Sequence, residues 1–165
     1  MPGGLRVELD VPLGWRPLRE NERSVVLQRA GIVLHLLNLQ DTHPPAEEAP
    51  GELRRLEQKL DVVIAMLGLL LAAPAMNEPA QRVWLDPHGL CWQTREPPEP
   101  GSPVLVTLSL PGAPALALPA VPRDAETGRA CVRFDGLPAT VSEQLEKWIF
   151  RQHRRAVARS RTEHT

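Results

Sequence analysis

Apolar residues change their spacing twice along the chain, and each change marks an element boundary. Near the N-terminus Leu5, Val7, Leu9 and Val11 alternate with polar residues. That period of two predicts a short strand or extended arm, which Pro12, Gly14 and Pro17 are expected to end. From Asn21 to Gln40 the spacing becomes helical, and Val25, Ala30, Ile32, Val33, Leu36, Leu37 and Leu39 form a broad apolar face. Asn21 is the expected N-cap, with Glu20 and Glu22 near the positive end of the helix. His35 is expected to be a partly buried packing residue. The run Asp41 to Gly51 is rich in Pro and acid and reads as a linker. It is long enough to let two helices fold back on each other as a hairpin.

The most regular pattern follows, from Glu52 to Ala73. Leu53, Leu60 and Leu67 fall seven apart, and so do Leu56, Val63 and Leu70. These are the a and d positions of a heptad helix. In its second half Ile64 and Leu71 make the e positions apolar, and Met66 does the same at g. Apolar flanks suit a bundle wider than a dimer. Two covers fit such a face: further copies of the helix, or another helix of the same chain. Self-association is the favoured reading. The uninterrupted apolar part, Val62 to Ala73, falls short of the roughly 20 residues needed to span a bilayer, so no membrane insertion is expected.

From Gln81 the period returns to two. QRVWLD and GLCWQT flank a turn at Asp86 to Gly89. VLVTLSL puts Val104, Val106, Leu108 and Leu110 on one face; Leu116, Leu118 and Ala120 continue on the next strand, where Pro119 predicts an edge or bulge. RACVRF, Arg129 to Phe134, is a further strand. Short strands at close spacing predict a small antiparallel barrel or sandwich. The chain closes on a helix that starts at a capping box, Thr140 with Glu143, and carries Val141, Leu145, Trp148 and Ile149 as its apolar stripe. Its end is basic: Arg151, Arg154, Arg155, Arg159 and Arg161. A solvated helix end accounts for this run, and Arg151, Arg154, Arg155 and Arg159 are the candidate contact for an acidic partner.

Composition narrows the function. The net charge of -1 offers no basic field for nucleic acid, and none is expected as a partner. Cys91 and Cys131 lie in strands without metal-ligand spacing and are expected to be small buried thiols, with no metal site. No GxSxG, P-loop, HExxH or paired-Cys motif occurs, so no catalytic residues and no enzyme activity are expected. The start MPGGLRVELD lacks an apolar h-region, and the expected location is cytoplasmic.

A heptad helix, then WLDPHGL, then strands ending in VRFDGL, then a helix reading LEKWIFRQHRRAVA: this order resembles the PilZ domain family, in particular atypical members with an extra helical arm. The resemblance covers about Leu53 to Arg159, and LEKWIFRQHRR is its most specific part. It implies an α+β, mainly β fold: a small six-stranded antiparallel barrel with an N-terminal heptad helix or helical hairpin and a C-terminal helix. The implied division is an N-terminal strand, helix and linker over 1–50, a heptad helix over 51–76 and the barrel with its helix over 77–165. The family binds cyclic di-GMP through RxxxR before the first strand and [D/N]xSxxG in the turn after it, where Arg guanidiniums clamp phosphates and stack on guanines. Aligned on Gly89, this chain has Trp84 for the Asp or Asn and Asp86 for the Ser, and upstream it keeps one arginine, Arg82. The resemblance therefore implies an adaptor in cyclic di-GMP-linked regulation that tetramerises through the heptad helix and meets a protein partner, with no cofactor. The alternative is a receptor that takes the dinucleotide through an altered turn, with Arg82, Asp86 and Gly89 as its residues.

Overall fold

The computed structural model describes residues 4–40, 51–71, 78–123 and 128–162. In chain order the elements are β1 (Val7–Pro17), α1 (Arg23–Gln40), α2 (Gly51–Leu71), β2 (Ala80–Asp86), β3 (Gly89–Gln93), β4 (Val104–Leu108), β5 (Leu116–Pro122), β6 (Arg129–Phe134) and α3 (Ala139–Thr162). The six strands form one closed antiparallel barrel in the order β1-β2-β3-β6-β5-β4. The fold is thus α+β, as the resemblance implied. Along each strand alternate residues point inward: Val83 and Leu85 of β2, Leu90 and Trp92 of β3, Val104, Val106 and Leu108 of β4, and Ala130, Val132 and Phe134 of β6 are buried. Closure leaves no strand edge to pair with another chain.

The barrel closes through β1. Its first half pairs with β2, ending at Pro12↔Ala80, and its second half pairs with β4, beginning at Leu13↔Leu108. The strand therefore does not stop at Pro12. Pro12 and Gly14 mark the place where it changes partner, and Pro12 O accepts a hydrogen bond from Ser109 N (3.0 Å). Pro119, expected at an edge or bulge, is fully buried in β5 opposite Leu105. Its carbonyl accepts from Asp135 N (3.0 Å), just beyond the β5–β6 ladder, which begins at Ala120↔Phe134.

The apolar face of α1 does not cover α2. It packs on β5 and α3, burying Ala30, Val33, Leu34 and Leu37 beside Val141, Leu145, Trp148 and Ile149. The α1 residues expected to cover α2 in a hairpin are instead taken up by the barrel wall and α3 among the described residues. The linker at 41–50 lies outside the described residues. Helix α1 starts one step later than expected: Val26 N bonds Glu22 O (2.9 Å), so Glu22 and not Asn21 is the residue whose carbonyl opens the helix. His35 is exposed on the outer side of α1 and not part of the packing. Asn38, the one buried polar residue among those described, donates to Gln144 O (3.0 Å), and Arg151 Nη1 donates to Asn38 O (2.8 Å). That arginine satisfies a carbonyl at the C-terminal end of α1, where no basic residue of α1 itself stands.

Candidate functional site

Two surfaces stand apart from the packed core. One is the outer face of β1, β2, β3 and β6. Register aligns Glu8, Trp84, Cys91 and Cys131 in one row, with the pairs Asp10↔Arg82 and Gln93↔Arg129 beside it. The guanidinium of Arg129 lies 5.0 Å from the Trp84 ring centre and that of Arg6 lies 5.6 Å from it, both within cation–π range. Trp84 Nε1 donates to Glu8 (3.3 Å), and Glu8 also pairs with Arg82 Nε (3.0 Å). Arg129 Nε is buried without a hydrogen-bond partner. The face thus presents an aromatic plane with guanidiniums around it and one carboxylate tying two of its members.

The three residues singled out in the sequence lie on or beside this face, each with a structural task. Asp86 accepts from His88 N (2.7 Å) and Gly89 N (2.9 Å) and so forms the β2–β3 turn. Gly89 sits tight against the next strand, where a Cβ would collide with the Val132 carbonyl oxygen. Arg82 is held by Glu8. Sequence reasoning missed Arg6, just before β1, Glu8 in β1 and Arg129 in β6. Only the register could have found them.

The cysteines correct the expectation of buried thiols. Cys91 and Cys131 are half-buried cross-strand partners on the outer face and form a disulfide, with Cα atoms 4.1 Å apart. The physical reason is phase: their neighbours Leu90, Trp92, Ala130 and Val132 take the inward positions.

The second surface is α2. Leu53, Leu56, Leu60, Val63 and Leu67 are each 45 to 57% exposed, a continuous apolar seam that nothing in the chain covers among the described residues. Leu70 continues the seam, and its side chain lies outside the described residues. The basic end of α3 is also exposed from His153 to Arg161, while Arg151 is engaged with Asn38. No group of His, Cys, Asp and Glu that could hold a metal occurs among the described residues. No helix among them is long and apolar enough to cross a membrane.

Away from both surfaces, Arg16 clamps Glu22 through two contacts (2.6 and 2.7 Å), and Arg19 N donates to the same carboxylate (2.8 Å). The Arg16 hydrogen bonds, followed by the Arg19 amide, pull the Glu22 pKa down to about 2.

A closed six-stranded antiparallel barrel, flanked by a C-terminal helix and an apolar helix, is the architecture of a PilZ-type barrel. The chain belongs to the atypical PilZ domain family, tPilZ: the sequence model described as an atypical PilZ domain, cyclic di-GMP receptor, matches residues 32–162. The fold is similar to the crystal structure of a pathogenic protein from Xanthomonas campestris, described as a new tetrameric PilZ domain self-assembled via an unusual helical bundle. The TM-score is 0.69 at 23% identity, over 96% of this chain and 93% of that one. No curated protein matches the chain significantly in sequence.

Proposed function

We propose that the protein is a non-enzymatic PilZ adaptor that self-associates through α2, as a tetramer, and works through protein contacts in cyclic di-GMP-linked regulation. The observation that carries this reading is the exposed heptad seam from Leu53 to Leu67. A soluble chain with that much contiguous leucine surface gains from burying it, at about 1.5–3 kcal/mol for each side chain fully covered. The tetrameric assembly of the Xanthomonas campestris protein through a helical bundle supports the same reading. Arg154, Arg155 and Arg159 at the end of α3 are the candidate contact for an acidic partner protein, with Arg151 at their root. Light scattering on the purified chain tests the assembly. Four times the mass of 18.3 kDa is expected, and a monomer at micromolar concentration overturns the proposal.

A second reading is favoured by one observation, the two guanidiniums over Trp84 beside the Gly89 turn. Here the face takes cyclic di-GMP in an altered way, with Arg82, Asp86 and Gly89 at the turn and Arg6 and Arg129 supplying the cations. An aromatic plane and guanidiniums match a guanine and a phosphate. Titration calorimetry with cyclic di-GMP decides it: heat that disappears in Arg129→Ala supports the receptor reading, and no heat at high ligand concentration removes it.

A further inference from the structure

The outer-face disulfide stands in a place where a structural bond is not needed. In the β3–β6 ladder, Phe134 N bonds His88 O (2.8 Å) and Thr94 N bonds Gly128 O (3.1 Å). Those pairs lie three positions either side of Cys91↔Cys131. Hydrogen-bonded and non-hydrogen-bonded pairs alternate, so Cys91↔Cys131 is a non-hydrogen-bonded pair, the kind in which opposing residues come closest. The bond therefore joins strands that a ladder already joins, in a barrel that is already closed. The core side chains next to it, Leu90, Trp92, Ala130 and Val132, all lie on the other side of the wall. Both cysteines are partly exposed on the outer face, the side from which a thiol would approach. Arg129 and Arg133 stand two residues either side of Cys131 on the same face, and cations there stabilise a leaving thiolate. Trp84 is the direct cross-strand partner of Cys91.

We propose that Cys91–Cys131 is a reversible thiol–disulfide exchange site whose redox state sets the arrangement of the Trp84–Arg129 patch. The co-reactant is a dithiol reductant. One of its thiolates attacks a sulfur of the pair and forms a mixed disulfide, releasing the other cysteine as a thiolate. The second thiol of the reductant then attacks the mixed disulfide. Two electrons and two protons pass to the protein, giving free Cys91 and Cys131 thiols and an oxidised dithiol. A disulfide oxidant such as glutathione disulfide returns the bond. Once unbonded, two sulfurs cannot remain at covalent distance, so the thiols move apart in the row they share with Trp84, whose ring the Arg129 guanidinium covers. Arg129 Nε, which has no acceptor in the oxidised form, gains a thiol or thiolate nearby. The geometry carries this proposal by itself, independently of the self-association of α2.

The test uses the full chain, folded, in dithiothreitol and glutathione buffers. Mass spectrometry after maleimide alkylation is expected to show two adducts per chain once the buffer is reducing, and none in glutathione disulfide. Far-UV circular dichroism is expected to stay unchanged across the same change. Tryptophan emission is expected to rise on reduction, as the quenching disulfide beside Trp84 opens, and this rise is expected to vanish in Trp84→Phe. A Cys91→Ser, Cys131→Ser variant folds and shows no response. Three results each overturn the proposal: adducts that appear only in denaturant, loss of the barrel signal on reduction, or emission that does not respond to reduction.

Discussion

At the residue scale, Gly89 shows what the turn demands. A Cβ there would meet the Val132 carbonyl oxygen and crowd the Arg133 Cα at 3.3 Å, both backbone atoms that cannot rotate away. Gly89→Ala is therefore expected to destabilise the barrel by about 2–4 kcal/mol, at the upper end for single substitutions, read as a fall in the urea midpoint. An unchanged midpoint would mean that β3 and β6 can separate at no cost. Gly89 was legible in the sequence as a turn glycine, but the steric reason was not, because Val132 lies more than forty residues away. The same limit hid the patch: Trp84 and Arg129 are ordinary strand residues, and Arg6 an ordinary residue before β1, until the fold brings them together. Glu22 gives a pH prediction. Its folded pKa is about 2, below the ordinary 4.5, so its ion pair with Arg16 contributes fully above about pH 4.5. That contribution declines as the pH falls from there and is gone below about 2. Because the Arg16 side chain is 45% exposed, the whole effect is expected to stay below about 1 kcal/mol. Glu22→Gln is expected to flatten the stability profile between pH 5 and 2, measured by urea titration, and to leave stability at pH 2 unchanged. A profile as steep as that of the unchanged chain would assign the acid sensitivity to other carboxylates.

At the element scale, the helices were the clearest reading and their partners the least. The heptads of α2, the broad face of α1 and the stripe of α3 all formed helices, with the starts of α1 and α3 shifted by one or two residues, to Glu22 and Pro138 in place of the expected caps Asn21 and Thr140. Periodicity reports which side of a helix is apolar, and nothing about what lies against it. The α1 face met the barrel and α3, and the α2 face was left open. Leu60 is 52% exposed in the single chain, so Leu60→Glu leaves the barrel untouched. In a bundle it would force a carboxylate into the seam and remove a leucine from it, a loss of several kcal/mol. The expected result is a monomeric variant by light scattering, with the thermal transition of the barrel retained. A variant that keeps the assembled mass would place the interface elsewhere.

At the scale of the whole molecule, the family match and the barrel do not have the same extent. The match runs over residues 32–162, yet the strand that closes the barrel is Val7–Pro17. The alternation from Leu5 to Val11 was visible, but Pro12, Gly14 and Pro17 read as terminators, since sequence signals for a turn and for a change of strand partner look alike. The closed topology makes β1 indispensable: it pairs with β2 on one side and β4 on the other, and it supplies Val7, Val11 and Leu13 to the core. Deleting residues 4–17 would open two strand edges at once and expose the buried residues of β2 and β4. The expected outcome is a chain that aggregates or loses its cooperative transition, even though all matched residues remain. Val11→Asp, a carboxylate placed in the core with no partner, is expected to have the same effect without shortening the chain. If the shortened chain instead stayed soluble and unfolded in one cooperative step, β1 would be an arm laid on a five-stranded sheet, and the fold would need only the residues that the family match covers.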